Sequence, residues 1–287
     1  MRQNAPCSLP FAFLVMGMSL LEFFLFVGVG GGVGFLAGLF GVGGGFIMVP
    51  ILILSYEHSG ISPSVLTHLA IGTSLFAIIF GSVASAYQHE KQGNIDWRSV
   101  FIIGFSSALM AFATTRLAVA LSGRQLRVAF VVVVMGASIR MMTESQEKAK
   151  RKLELTEKPS IKGLLGAGLT TGVVSSLAGI GGGVFIIPWM YNFLNFPLRL
   201  AIGTSSAAIA ITALFSTTGY ILNGMGRLGL PDWSLGFVDL QRGAALAIGT
   251  MLMARVGAYA SNKIHPFHLR KIFTLFVLLL SIYMLMR

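Results

Sequence analysis

Two stretches of the chain stay free of charge for longer than one membrane helix requires. Phe23 to Tyr56 runs 34 residues without Asp, Glu, Lys or Arg, and Gly163 to Leu198 runs 36. A bilayer core about 30 Å thick is crossed by about 20 apolar residues, so each stretch must hold more than one element. The breakers lie at matching places: GVGGG at Gly41–Gly45 followed by Pro50, and GIGGG at Gly179–Gly183 followed by Pro188. Further apolar segments lie near 64–88, 98–121, 124–142, 198–223, 236–261 and 267–286. Only 11% of residues are charged, against about 25% in a soluble domain, and 10 of the 31 charges crowd between Thr143 and Lys162. A soluble fold is thereby excluded, and an all-α polytopic transmembrane helix bundle is expected, with the lipid bilayer as its surroundings. Arg2 precedes an apolar run, but no small-residue cleavage site followed by soluble sequence appears, so this run reads as the first membrane helix.

The net charge of +11 does not point to nucleic acid, because the Lys and Arg sit singly at the ends of apolar runs, as topology signals do. One cysteine, Cys7, excludes a disulfide within the chain and thiolate metal sites. No cofactor and no metal are expected.

The chain repeats itself. GFLAGLFGVGGGFIMVP (Gly34–Pro50) aligns with GVVSSLAGIGGGVFIIP (Gly172–Pro188), and AIGTS at Ala70–Ser74 recurs at Ala201–Ser205. Similarity also pairs Asp96-Trp97 with Asp232-Trp233, Arg116 with Arg255, and Leu126-Arg127 with Leu269-Arg270. The expected organisation is a first transmembrane repeat (1–142), a charged cytoplasmic linker (143–160) and a second transmembrane repeat (161–287). With five segments per half, short or broken at the Gly clusters, the second half is inverted. If the residues after each cluster re-enter instead, the halves are parallel. Placing the linker inside puts 14 of the 21 Lys and Arg on the cytoplasmic side and both termini outside, a bias that favours inversion.

Three adjacent glycines in hydrocarbon would strand backbone polar groups, so such backbone is expected only where protein or a watery cavity satisfies it. Broken helices at matching places of two repeats mark a transporter's binding site, here Gly43, Gly44, Gly45 and Gly181, Gly182, Gly183. Half-helices starting near Phe46 and Val184 would present amide N–H groups and positive dipole ends, which favours an anion. The GxxxG run at Gly30, Gly34 and Gly38 reads as helix packing. Thr73, Ser74, Thr204 and Ser205 supply hydroxyls that bond either a ligand or the carbonyl one turn back. His68, two residues before AIGTS, either carries a coupled proton or contacts the substrate, or it faces water at a helix end. Arg116 and Arg255, inside apolar segments, either hold an anion by bidentate bonds or snorkel to an interface. His265 and His268 flank Pro266 with no carboxylate or thiol nearby in sequence, and are weak metal candidates.

The doubled pattern GxxxGxxxGxGGGxxxxP, AxGTS and a polar turn of the QHEKQGNIDW type resembles the TauE/SafE sulfite exporter family. The match rests on Gly43–Gly45, Pro50, Gly72–Ser74, His89, Gly93, Asp96 and Trp97 in the first half, and on Gly181–Gly183, Pro188 and Gly203–Ser205 in the second. The resemblance implies a multi-pass permease of the bacterial or archaeal inner membrane that moves sulfite, thiosulfate or small sulfonates by alternating access. The second half departs at ILNGMGRLGLPDW, which lacks the His and Lys of the first. Other classes fit less well. GVGGGF lacks the GK[ST] of a phosphate-binding P-loop, and no nucleophile–base or His–carboxylate spacing suggests an enzyme. Of the ten acids only Glu22 and Asp239 fall within apolar segments, too few for a carboxylate proton relay. The alternatives are an anion channel built from the same half-helices and a transporter of another small oxyanion or carboxylate. The sequence is silent on oligomeric state.

Overall fold

The computed structural model describes residues 18–118 and 159–265, with 267–269, 271, 272, 274, 275 and 279. Cys7, Leu126-Arg127, Arg270 and the charged linker up to Lys158 lie outside the described residues. In chain order the first repeat supplies α1 (Leu20–Phe40), α2 (Gly45–His58), α3 (Pro63–Lys91) and α4 (Trp97–Ala118). The second supplies α5 (Ile161–Ala178), α6 (Gly183–Phe193), α7 (Leu198–Gly224) and α8 (Leu240–Lys263). A short antiparallel ribbon, β1 (Ser234–Leu235) and β2 (Val238–Asp239), directly precedes α8.

Helices α1, α3, α4, α7 and α8 are long and apolar enough to cross a membrane. Their outward faces carry large apolar side chains, such as Leu21 at 79% exposure, Leu109 at 72% and Leu252 at 63%, as a lipid-facing surface should. Helix α1 starts with a capping box, in which Ser19 Oγ accepts from the Glu22 amide at 3.2 Å and the Glu22 carboxylate accepts from the Ser19 amide at 3.0 Å. Asp239 caps α8 by accepting from the Gln241 and Arg242 amides. The two acids expected within apolar segments therefore both serve as helix starts.

Helices α2 and α6 have 14 and 11 residues, about 21 and 16 Å at 1.5 Å per residue, too short to span. Each folds back against the helix before it. In the second repeat Gly163 faces Leu194, Gly166 faces Trp189 and Gly182 faces Thr171, and Trp189 Nε1 donates to Gly163 O at 3.2 Å. Numbers rising on one strand and falling on the other define an antiparallel hairpin. In the first repeat Gly44 faces Val33, and the Arg242 guanidinium lies 6.0 Å from the ring of Phe26, near the start of α1, and 4.9 Å from that of Tyr56, near the end of α2. The segment after each cluster is thus the return leg of a hairpin whose outward leg is the helix before it. Pro50 and Pro188 do not stop these legs, since each is the sixth residue of a helix that runs on past it. One bond is lost from the ladder, and neighbouring helices hold the backbone in place.

The inversion follows from α3 and α7, which carry the two AIGTS blocks. Ser85 Oγ meets Ser206 Oγ at 3.1 Å, His89 packs on Gly203, and Tyr220 packs on Gly72. Equivalent helices pair antiparallel, so the repeats have opposite orientation even though the segments after the clusters fold back. The expectation that re-entry makes the halves parallel fails, because the helix before each cluster belongs to the same hairpin. Around them α1 lies parallel to α8, with Gly30, Gly34 and Gly38 pressed on the backbone of Leu246, Thr250 and Ala254 and with Gly249 and Gly257 answering from the other side. The same arrangement joins α5 to α4, with Gly168 against Ile103 and Gly172 against Ser107. Small residues at four-residue spacing let the backbones touch, so the GxxxG run does serve packing.

Structure corrects two pairings of the repeats. The amide of Asp96 donates to Thr204 Oγ1 at 3.0 Å, and that of Asp239 donates to Thr73 Oγ1 at 2.9 Å. Asp239, not Asp232, therefore stands where Asp96 does, because the ribbon inserted after Trp233 moves the helix start seven residues on. Counted from these caps, Arg116 lies one turn deeper than Arg255, so the two arginines do not share a position. Both are exposed, and the Arg255 guanidinium sits 5.4 Å from the Tyr87 ring centroid.

Candidate functional site

The two glycine loops meet at the centre of the fold. Helix α1 ends at Gly41 and α5 at Gly179, both left-handed, and α2 and α6 begin behind the N-caps Gly44 and Gly182, at φ/ψ of 83°/−3° and 82°/−6°. The same turn is therefore built twice. Neither N-cap makes a side-chain cap bond. The Gly44 carbonyl accepts from the Ile47 and Met48 amides, and the Gly182 carbonyl from those of Phe185 and Ile186.

The loops are in contact, and the contact is reciprocal. Gly45 lies against Gly179 O and Gly183 against Gly41 O, so closely that neither site has room for a Cβ. Gly43 and Gly181 both face the equivalent side chains Ile78 and Ile209. Each loop is also latched by the other repeat: Ser74 Oγ donates to Gly179 O at 3.1 Å, and Ser205 Oγ to Gly41 O at 3.0 Å. All six glycines and all four hydroxyl residues are buried. The two GTS blocks thus reach the expected place, where each serine ties a loop to the opposite repeat and also lies within 2.9 Å of a carbonyl of its own helix, Ile71 O or Ile202 O. Thr73 and Thr204 take the amides of Asp239 and Asp96, which sets α8 and α4 against the two axial helices.

Other sequence candidates lie apart from this contact. His68 is half-buried with its ring 5.3 Å from that of Phe237. His265 and His268 face each other at 6.0 Å. The equivalent of His89 is Tyr220: His89 Nε2 lies 3.2 Å from Gly38 O, and Tyr220 Oη donates to Ser176 O at 2.7 Å. Gly38 and Ser176 are themselves equivalent, so both side chains brace the last turn of a hairpin's first leg. Identity matching misses this pair, because histidine and tyrosine share only a ring with a polar edge. An outward groove between α4 and α7, lined by Phe105, Leu109, Phe112, Leu214 and Phe215, is apolar and belongs to the lipid-facing surface.

The fold defines a helical membrane protein of two inverted repeats, each carrying one broken hairpin whose loop meets its twin at the centre. The family described as "Sulfite exporter TauE/SafE" matches residues 25–284, and the chain belongs to that family. A probable membrane transporter protein of Haemophilus influenzae is 30% identical over 259 residues, covering 90% of this chain and 96% of the relative. Another, from Methanocaldococcus jannaschii, is 30% identical over 264 residues, covering 91% and 95%. A third, YdhB of Bacillus subtilis, is 27% identical over 237 residues, covering 80% and 86%. No solved structure matches. The protein is a multi-pass membrane transporter.

Proposed function

We propose that the protein is a secondary transporter of small sulfur-containing oxyanions, working by alternating access around the paired glycine loops of an inner membrane. The observation that carries this reading is the reciprocal latch: two helix N-termini held back to back by Ser74 and Ser205 across the pseudo-twofold axis. A helix N-terminus favours negative charge. Separation of the loops would release the two serine hydroxyls, Thr73 and Thr204 remaining at the helix interfaces, so that the donors holding the loops together become donors to the anion. Inverted repeats give the two access states as exchanged conformations of the same hairpins. The close loop contact favours a carrier over the alternative of an anion channel. Reconstituted in proteoliposomes, the protein should show flux that saturates with anion concentration, whereas large unsaturated current would identify a channel.

Sulfur is the contribution of the family, since dipoles and hydroxyls by themselves treat carboxylate and phosphate in the same way. A thermal-shift screen of purified protein against sulfite, thiosulfate, sulfoacetate, taurine, sulfate, phosphate and acetate should give selective stabilisation by a sulfur anion, because a ligand that binds the folded state raises its stability. Response to Na⁺ or amines alone, with indifference to every anion, would overturn the proposal.

Orientation is part of the proposal. The antiparallel axial helices gather Lys91, Arg98, Arg199 and Lys263 at one end of the bundle, where Arg199 Nη2 donates to Ile264 O at 2.8 Å. Arg227 and Arg242 sit at the other end, where Arg242 Nη2 donates to Ser59 Oγ. With the richer end cytoplasmic, the linker between Thr143 and Ser160 lies inside and both termini outside. Protease added to the cytoplasmic face of inverted vesicles should cut the linker, and protease added to intact spheroplasts should not.

A further inference from the structure

The two hairpins share one backbone but not one lining. The side chains against the N-cap Gly44 are Val33 and Ala37 of α1, and those against its twin Gly182 are Thr171 and Ser175 of α5. These are matching positions of the repeats: carbon touches the glycine in both, Val33 Cγ1 and Ala37 Cβ in the first and Thr171 Cγ2 and Ser175 Cβ in the second, but only the second pair carries hydroxyls. Both hydroxyl residues are fully buried, and neither Thr171 Oγ1 nor Ser175 Oγ has a hydrogen-bond partner. Many other buried helix hydroxyls bond a carbonyl of their own helix, as Ser107 does to Gly104, Ser206 to Ile202 and Thr212 to Ala208. Thr170, next to Thr171, does so with Gly166. A buried hydroxyl left without a partner is destabilising, and two of them beside one helix N-terminus mark a place where an acceptor is due.

We infer that the oxyanion binds off the pseudo-twofold axis, at the N-terminus of α6, where Thr171 and Ser175 donate to it, while the first hairpin supplies an apolar wall. This rests on the anion-transport reading and sharpens it by adding, to the serine released from each repeat, a hydroxyl pair that only the second repeat supplies. The acceptor is an anion and not a cation, because hydroxyl protons and the positive end of the α6 dipole point to the same charge. A charged acceptor also makes these bonds stronger than neutral ones.

The test is to give the second hairpin the lining of the first, as the double variant Thr171→Val with Ser175→Ala. Purified wild type and variant are compared by thermal shift with sodium sulfite, and with sodium acetate as a second anion. Bonds from two hydroxyls to an anion predict at least about a tenfold rise in the half-saturating concentration. The melting temperature without anion should hold or rise, because two unpartnered hydroxyls have been removed. A purely structural role would lower that temperature and leave the concentration dependence unchanged, and this outcome overturns the inference. Unchanged anion response at unchanged stability also overturns it, while leaving the glycine-loop site in place. If wild type responds to neither anion, both readings fall together. Moving the hydroxyls across, by adding Val33→Thr and Ala37→Ser to the double variant, should not restore the response; full restoration would show a symmetric site and overturn the assignment to one repeat.

Discussion

Leucine at Gly44 or Gly182 is expected to abolish transport while leaving membrane insertion intact. Two costs combine there. The left-handed backbone at φ near +80° carries a penalty of about 1–2 kcal/mol for a residue with a Cβ. The Cβ itself would overlap Val33 in one loop and Thr171 in the other, before the rest of the side chain is placed. The axis allows little relief, because the opposite loop already presses on the neighbouring Gly45 or Gly183. Overpacking of a tight contact costs about 1–3 kcal/mol more, and here it falls on the element that must move. Insertion depends on the long apolar helices, which the substitution leaves unchanged. Gly60 separates the two costs: its φ is +71°, yet nothing lies within 4 Å of a Cβ there. Gly60→Ala should therefore keep its flux, with only the backbone penalty to bear. Normal flux from both leucine variants would return these glycines to a packing role.

What the sequence discloses depends on whether identity survives between the repeats. Three adjacent glycines announce the loops, because the first two of each set have left-handed backbone and the third has no room for a Cβ, and AIGTS stands out because both copies must fit small side chains between helices. The inversion is legible from the charges, and the antiparallel pairing of Ser85 with Ser206 gives it a structural basis. Other features are hidden where function or insertion has changed the letters. Asp232-Trp233 looks like Asp96-Trp97, but a six-residue ribbon follows it, and the true cap Asp239 has no tryptophan after it. Tyr220 replaces His89 at the same brace. Ser175 lies inside the best-aligned block and Thr171 directly before it, yet neither stands out, because they are departures from Ala37 and Val33 of the first repeat. The role of the GTS serines is likewise unreadable in one dimension, since their acceptors, Gly179 O and Gly41 O, belong to the other repeat.

Asp239→Ala should destabilise the protein far more than Asp96→Ala, although the two residues occupy equivalent places. Asp239 is 2% exposed, and its carboxylate accepts from the Gln241 and Arg242 amides, from Arg242 Nη1 at 3.0 Å and from Tyr56 Oη at 3.3 Å. Arg242 in turn lies 4.9 Å from the Tyr56 ring centroid, so α2, α8 and the ribbon all meet at this carboxylate. Removing it uncaps α8, leaves the Tyr56 hydroxyl with Thr73 Oγ1 as its remaining partner and leaves the guanidinium without its anion in a site that is 14% exposed. Breaking a buried pair from one side costs about 3–5 kcal/mol. Asp96 is half-buried, has Ser99 where Asp239 has Arg242, and its side chain accepts from Ser99 Oγ at 2.5 Å. Loss of that bond should cost about 1 kcal/mol. Melting of the two variants in detergent measures the difference. The double variant Asp239→Ala with Arg242→Leu, which removes both charges together, should recover a large part of the loss. Equal effects at Asp96 and Asp239, or no recovery in the double variant, would show that the ion pair is not what joins the first hairpin to the second repeat.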